Sequence, residues 1–72
     1  MRQITCLAAE KFSNNFKILR INRNLSIKQV SIDIGLSQGF LTDIENLKKL
    51  PSLVTVDKIA NYFDVEIYEL FL

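Results

Sequence analysis

Small and polar residues gather on one side of a short helical pattern that runs from Ser37 to Asn46. Leu41 and Ile44 recur at i, i+3 and mark the opposite side as the buried one. The outward side carries amides, a hydroxyl, a carboxylate and a glycine, contributed by Gln38, Gly39, Thr42, Asp43 and Asn46. Such side chains donate and accept hydrogen bonds. The pattern predicts a surface that recognises a polar partner.

The sequence offers little that supports catalysis. The chain has no histidine and one cysteine, with no Gly-rich phosphate loop and no Cys/His cluster of the zinc-binding kind. We therefore expect no enzymatic activity, no metal site and no cofactor.

The single cysteine, Cys6, has no partner for an internal disulfide, which is typical of proteins of a reducing compartment. We expect it to be a small, half-buried residue of the first helix. No apolar run approaches the length of a membrane span, and the N-terminus lacks the pattern of a signal peptide. These features together predict a cytoplasmic protein that does not bind membranes.

Two helix starts and one helix stop are recognisable between residues 26 and 46. Ser26 followed by Gln29 is a capping box, in which the hydroxyl accepts a backbone N–H and the amide reaches back. Gly35 can take the left-handed conformation that ends a helix, and Ser37 is expected to cap the next one. A short helix, a tight turn and a second short helix form the layout of a helix-turn-helix, whose second helix enters the DNA major groove.

The same stretch resembles the phage Cro/repressor (XRE) family of helix-turn-helix regulators. Identical or similar residues fill the family pattern at Leu25, Ser26, Val30, Gly35, Leu36, Ser37, Leu41, Thr42, Ile44, Glu45, Pro51 and Ser52. The resemblance covers roughly residues 16–71. It implies an all-α, lambda-repressor-like domain, and we read residues 1–72 as one such domain of five short helices.

The resemblance also implies roles for individual residues. Gln38 stands where relatives direct a side chain towards base edges, and an amide can hydrogen-bond adenine in a bidentate manner. Thr42 and Asp43 are further candidates for base contact, the carboxylate accepting from a cytosine amino group. The arginine matching Arg20 usually pairs with the glutamate matching Glu45, which ties the first helix to the recognition helix.

Phosphate contacts are expected from hydroxyls, an amide and lysines around the two short helices. The candidates are Ser26, Lys28, Ser37, Asn46, Lys48 and Lys49. The charge distribution favours this surface, since residues 1–49 hold eight Lys/Arg against four acids, whereas residues 50–72 hold one lysine against four acids. A basic N-terminal part and an acidic C-terminal part suggest that one face meets phosphate.

Ile27, Ile32 and Leu47 are among the residues that depart from the family pattern. Ile27 replaces a glutamine that contacts phosphate in many relatives, and Ile32 is apolar where relatives are usually polar. Both are therefore expected on an outer surface, packed on the N-terminal extension or marking a protein contact. Leu47 replaces a glycine, and because leucine resists the left-handed conformation, the recognition helix is expected to run on with Leu47 and Leu50 packed inward.

Apolar spacing sets the remaining elements. The first helix is expected from near Thr5 to about Asn22, with a buried stripe of Phe12, Phe16 and Leu19 widened by Leu7, Ala8 and Ile18. After Pro51, Ser52 caps a helix whose buried stripe is Leu53, Val56, Ile59, Ala60 and Phe63. Asp64 ends it, since aspartate tolerates the left-handed region better than most residues.

The sequence is compatible with two functions. The first is a sequence-specific repressor or autoregulator that binds double-stranded DNA as a homodimer on an inverted repeat, held together by the N-terminal extension or by residues among Tyr62, Ile67, Tyr68, Phe71 and Leu72. The alternative is a protein-interaction module, such as an antitoxin subunit, that keeps the fold and binds mainly a protein partner. Ile27, Asp43 and the net charge of only +1 favour the alternative.

Overall fold

The computed structural model describes residues 6–72 and contains only helices within that range. The elements are α1 (Leu7–Asn22), α2 (Ile27–Ile34), α3 (Gln38–Glu45), α4 (Leu53–Phe63) and a 3-10 helix (Ile67–Phe71). The all-α prediction is confirmed. Residues 6–72 form four α-helices and not five, because the last predicted helix is a 3-10 helix. The predicted helix start near Thr5 lies outside the described residues.

Three serines cap the N-termini of α2, α3 and α4, as their spacing predicts. Their hydroxyls accept the backbone N–H three residues on, for Ser26 at 3.0 Å, Ser37 at 3.1 Å and Ser52 at 3.1 Å. Each hydroxyl satisfies one of the backbone donors that a helix start leaves unpaired. Short local signals therefore set where these helices begin.

The capping box predicted at Ser26 is only half formed. Gln29 donates its backbone N–H to the Ser26 hydroxyl, but its side-chain amide donates to Asp33 Oδ1 at 2.8 Å. The amide therefore bonds one turn forward along α2. A hydrogen bond to the charged Asp33 carboxylate is stronger than one to a neutral backbone group.

A left-handed residue stands at or just beyond the end of each of the four α-helices, and beyond α1 it is Asn24, with φ 56°. Gly35 ends α2 with φ 72° and Asp64 ends α4 with φ 56°, as predicted. The prediction for Leu47 is wrong: it also adopts the left-handed region, at φ 60°, and α3 stops at Glu45. Backbone bonds from Leu47 to the Ile44 carbonyl (3.2 Å) and from the next residue to the Asp43 carbonyl (2.8 Å) close this end.

The core lies where the four α-helices and the 3-10 helix meet. Its buried apolar residues are Phe12, Phe16, Val30, Leu41, Ile44, Val56, Ile59, Ala60, Phe63 and Leu70. The ring centroids of Phe16 and Phe63 are 6.1 Å apart, which joins α1 to α4. Asn15 donates its side-chain amide to the Leu70 carbonyl at 3.1 Å and fixes the 3-10 helix on α1. The burial of apolar surface in this core makes the main contribution to the stability of the fold.

Several residues predicted to widen the core are exposed instead. They are Leu7, Ala8, Ile18, Leu50 and Leu53, with Leu53 the most exposed at 87%. Leu7 and Ile18 are eleven residues apart, which is close to three helical turns, so they project from the same side of α1. That side is opposite the one that carries Phe12 and Phe16. Ala9, Ser13 and Thr55 are buried in their place.

Two further expectations are corrected by the packing. Ile27, predicted on the outer surface, is half-buried and packs against the core, whereas Ile32 is 65% exposed as expected. Cys6, predicted to be half-buried within the first helix, is exposed and precedes α1 as its N-cap. Ile27 is the first residue of α2, so the direction of the chain entering the helix decides its burial.

Candidate nucleic-acid interface

The helices α2 and α3 form a helix-turn-helix through a turn of three residues, 35–37. Val30 on α2 and Leu41 on α3 are both fully buried and hold the two helices over the core. The Ser31 hydroxyl donates to the Leu36 carbonyl at 2.6 Å and closes the turn. Leu36 itself is half-buried and packs against the core. The angle between the helices is therefore set by apolar packing and by one hydrogen bond within the turn.

The outward side of α3 is polar and open. Gln38, Gly39, Thr42 and Asn46 are exposed, and the side chain of Asp43 is 33% exposed. A Cβ added at Gly39 would meet no atom within 4 Å, so this side of the helix is unobstructed. The three predicted base-contact residues, Gln38, Thr42 and Asp43, are therefore presented together on one helix face of about two turns.

The two serine caps lie at the N-termini of this pair of helices. Because the Ser26 and Ser37 hydroxyls accept backbone N–H groups, each keeps its own proton to donate to another acceptor. Lys28, on the first turn of α2, is exposed. Helix N-termini carry partial positive charge and unpaired N–H groups that favour anions. Hydroxyls, lysine and helix ends at this edge make a suitable arrangement for phosphate.

A bidentate ion pair anchors α3 to α1. Arg20 Nε and one terminal nitrogen donate to the Glu45 carboxylate at 2.7 and 3.1 Å, and the other terminal nitrogen donates to the Leu25 carbonyl at 2.8 Å. The hydrogen bond to Glu45 raises the pKa of Arg20 above its usual value. The Ser13 hydroxyl donates to the Glu45 carbonyl at 2.8 Å. Glu45 is fully engaged in this anchor and does not face outwards.

The residues after α3 bring cations beside its outward face. Lys49 Nζ lies 3.7 Å from Asp43 Oδ2 and 6.0 Å from the centroid of the Phe40 ring. Lys48 is exposed. The left-handed conformation at Leu47 is what turns the chain back, so that both lysines lie close to the end of α3.

A second anchor, not predicted from the sequence, joins α2 to α4. The Tyr62 hydroxyl donates to Asp33 Oδ2 at 2.6 Å, while Gln29 donates to Oδ1 of the same carboxylate. The hydrogen bond to Asp33 raises the pKa of Tyr62 above its ordinary value. The i, i+4 spacing of Gln29 and Asp33 is a signal that sequence inspection can detect. The bond from Tyr62 spans 29 positions and has no local signal.

Two groups of exposed apolar side chains lie in the part of the chain that follows α3. Near the C-terminus, Ile67, Tyr68 and Leu72 are 45%, 66% and 73% exposed. Tyr62 and Phe71, named with them in the sequence-based prediction, are half-buried and pack against the core. Leu50, Leu53 and Val54 form a second group around the start of α4, with exposures between 54% and 87%.

Residues 6–72 contain neither a membrane-spanning helix nor a metal-binding cluster. None of the helices there combines the length and the apolar character needed to cross a bilayer. The same residues bring no three His, Cys, Asp or Glu side chains together in a metal-binding group.

Sequence comparison relates most of the chain to known regulators. Residues 14–72 match the family model described as "Helix-turn-helix domain". The cryptic phage CTXphi transcriptional repressor RstR of Vibrio cholerae is 34% identical over 59 residues, which are 82% of this chain and 53% of that protein. The chain thus spans about half the length of this curated relative.

Structural comparison finds the same arrangement of helices in solved proteins. The restriction-modification controller protein C.AhdI of Aeromonas hydrophila superposes with a TM-score of 0.81 at 30% identity, covering 88% of this chain and 96% of that one. An HTH_3-family transcriptional regulator from Vibrio cholerae gives 0.82 at 28% identity, over 90% and 36%. The hypothetical transcription factor NHTF from Neisseria, at 19% identity and a TM-score of 0.85, covers 100% and 85% and shares the fold.

Proposed function

The chain belongs to the helix-turn-helix domain family of the phage Cro/repressor type, and we propose that it is a cytoplasmic, sequence-specific repressor or autoregulator that binds an inverted DNA repeat as a homodimer. The observation that carries the proposal is the division of α3 into two sides. Its inner side is buried and anchored by Arg20, and its outer side presents unobstructed polar side chains. A helix of this kind fits the major groove, which admits one α-helix.

The base contacts are assigned to Gln38, Thr42 and Asp43. Gln38 is the first residue of α3 and is exposed, so its amide is free to bond adenine N6 and N7. Thr42 lies one turn later and offers a hydroxyl and a methyl group, the latter suited to thymine. Asp43 accepts from a cytosine amino group. These residue types favour a half-site that contains both A·T and G·C pairs.

The phosphate contacts are assigned to the edge formed by the helix starts and by the segment after α3. Ser26, Lys28, Ser37, Asn46 and Lys48 are exposed there. Lys49 adds positive charge to the same region, but its ammonium is also paired with the Asp43 carboxylate. Each phosphate neutralised by such a cation releases counterions, so affinity is expected to fall steeply with salt.

The homodimer is assigned to the exposed apolar residues near the C-terminus. Ile67, Tyr68 and Leu72 are too exposed to serve the core of one chain, and clustered apolar surface of this kind usually marks a protein contact. A two-fold dimer uses the same patch on both subunits. It doubles the base contacts and sets half-site centres about 34–36 Å apart.

The names of the relatives agree with this function. RstR is a transcriptional repressor, and C.AhdI is a controller protein of a restriction-modification system. Both names describe proteins that regulate, and the second relative matches over 96% of its own length. The present chain therefore corresponds to nearly the whole of that controller protein and to about half of the repressor.

A second candidate function is a protein-interaction module that retains the fold. The observation that favours it is Ile32, which is 65% exposed on α2 beside the acidic Asp33. An apolar side chain and a carboxylate on this helix suit a protein surface better than a phosphate backbone. A subunit that binds a protein partner, such as an antitoxin, fits this arrangement.

Selection from a random duplex library at low and physiological salt tests the first function against the second. Enrichment of an inverted repeat supports the dimeric regulator and identifies its half-site. Retention that depends on salt without enrichment would mean contacts to the backbone alone. The absence of retention at either salt would contradict the proposal and direct the search to protein partners.

The dimer interface is tested with two variants of matched exposure. Tyr68→Asp changes a residue that is 66% exposed near the C-terminus, and Leu7→Asp changes one that is 68% exposed at the start of α1. We expect sedimentation velocity to show dissociation for Tyr68→Asp and an unchanged dimer for Leu7→Asp. The reverse result would move the interface to the N-terminal side of the molecule.

A further inference from the structure

The segment that follows α3 folds back over the last turn of the helix. The backbone N–H groups of Lys48 and Lys49 donate to the Asp43 carbonyl at 2.8 and 3.3 Å. Leu47 makes this return possible by adopting φ 60°. Residues 46–49 are therefore held against α3 by the main chain, and the direction in which Lys49 leaves the backbone is restricted.

The Lys49 side chain lies between an anion and an aromatic ring. Its ammonium is 3.7 Å from Asp43 Oδ2 and 6.0 Å from the Phe40 ring centroid, where a cation is attracted by the face of the ring. Phe40 is itself half-buried and packs against the core, so the ring is a fixed support. Two weak attractions at a restricted site favour one position for the ammonium.

Asp43 needs such a partner if α3 is to approach DNA. Its carboxylate lies on the polar side of the recognition helix, one residue from Thr42, and phosphates repel an unpaired negative charge. The ammonium is nearest to Oδ2, so the carboxylate retains a second oxygen for a hydrogen-bond donor. Lys48, its neighbour, is exposed and extends from the same turn.

We infer that Lys49 acts through Asp43 and not through a phosphate: it is a positioning residue that cancels the charge of the carboxylate and orients it for a cytosine amino group. The inference rests on the proposed DNA-binding function. The two adjacent lysines then have different roles. Lys48 contacts the phosphate backbone, and Lys49 makes the acidic Asp43 compatible with DNA.

A double-mutant cycle measures the coupling between Lys49 and Asp43 in DNA binding. The dissociation constants of the full chain, Lys49→Ala, Asp43→Asn and the double variant are determined by fluorescence anisotropy on the selected operator and on an unrelated duplex. We expect Lys49→Ala to weaken binding about 2- to 5-fold, in the range of an exposed ion pair, and to have almost no effect once Asp43 is asparagine. Lys49→Arg keeps the charge and is expected to restore binding.

Lys48→Ala is the matched control, and its loss is expected to be the same whether residue 43 is aspartate or asparagine. An equal loss for Lys49→Ala in both backgrounds would overturn the inference and make Lys49 a phosphate contact. The unrelated duplex separates the charge effect from any change of base preference caused by Asp43→Asn.

A measurement without DNA distinguishes failure of the inference from failure of the proposed function. In the free protein, nuclear Overhauser contacts between the Lys49 methylene groups and the Phe40 ring are expected and should weaken in Asp43→Asn. Absence of these contacts overturns the inference even if DNA binds. If they are present but no variant binds DNA, the proposed function fails, and with it the role in recognition assigned to Lys49.

Discussion

Arg20 on α1 and Glu45 at the end of α3 form a two-bond ion pair that leaves only 15% and 8% of their side chains exposed. The pair spans 25 positions in the chain and is supported by bonds from Arg20 to the Leu25 carbonyl and from Ser13 to the Glu45 carbonyl. A charged pair so placed fixes the recognition helix on the core. It also removes one acidic side chain from the surface proposed to meet DNA.

Replacing Arg20 with alanine is expected to destabilise the fold by about 2–4 kcal/mol, because it leaves the Glu45 carboxylate largely buried without its cation. Urea unfolding monitored by circular dichroism measures the change. Lys17→Ala removes an exposed cation from the same helix and should alter stability by less than about 0.5 kcal/mol. Equal effects of the two variants would show that the ion pair contributes no more than a surface charge.

The two glycines are expected to respond in opposite directions to the same substitution. A Cβ at either position meets no atom within 4 Å, so steric contact does not separate them. Gly35 has φ 72°, and alanine there should destabilise by about 1–2 kcal/mol. Gly39 is helical, and alanine there should stabilise by about 0.5–1 kcal/mol. Thermal unfolding of both variants provides the test, and a loss of stability at Gly39 would contradict the backbone argument.

Gln38→Ala is expected to relax the preference for one base pair by about 1–3 kcal/mol while leaving affinity for unrelated DNA unchanged. The side chain is exposed at the first position of α3, so truncation removes hydrogen bonds without disturbing the core. Competition with single-base operator variants measures the preference. A uniform loss on all sequences would show that Gln38 does not read a base.

Lys48→Ala is expected to weaken binding to all duplexes alike and to lower the slope of log affinity against log salt by about 0.9. The reason is that one phosphate less is neutralised and fewer counterions are released. Titrations at four or five salt concentrations determine the slope. An unchanged slope would remove Lys48 from the phosphate contacts.

Tyr62→Phe is expected to lower stability at neutral pH and to lose this effect in alkali. The hydrogen bond to Asp33 raises the folded-state pKa of Tyr62 above the ordinary 10.0. A raised pKa means that the contribution is complete below the unfolded value and disappears as pH rises through the folded value. Unfolding of both proteins across this range measures the difference. A difference that persists unchanged in alkali would contradict the role of the bond.

The sequence alone determined the features that depend on neighbours within four positions. The serine caps of α2, α3 and α4 follow from side chains acting on the adjacent backbone. The left-handed ends at Gly35 and Asp64 follow from residue types that tolerate a positive φ. The buried stripe of Phe12 and Phe16 follows from helical periodicity. Resemblance to a family added the layout of the helix-turn-helix, which the comparisons support. It also added the recognition residues, which stay a prediction.

Tertiary structure decided which apolar residues are buried and which ends are left-handed against local preference. Leu53 is 87% exposed while Thr55 is buried, although spacing alone favours the leucine, because the direction in which α4 meets the core selects its inner side. Leu47 adopts a left-handed conformation, and backbone hydrogen bonds from residues 47–49 to the last turn of α3 accompany it. Bonds such as Tyr62 to Asp33 join residues 29 positions apart, and only the folded chain brings their atoms within reach.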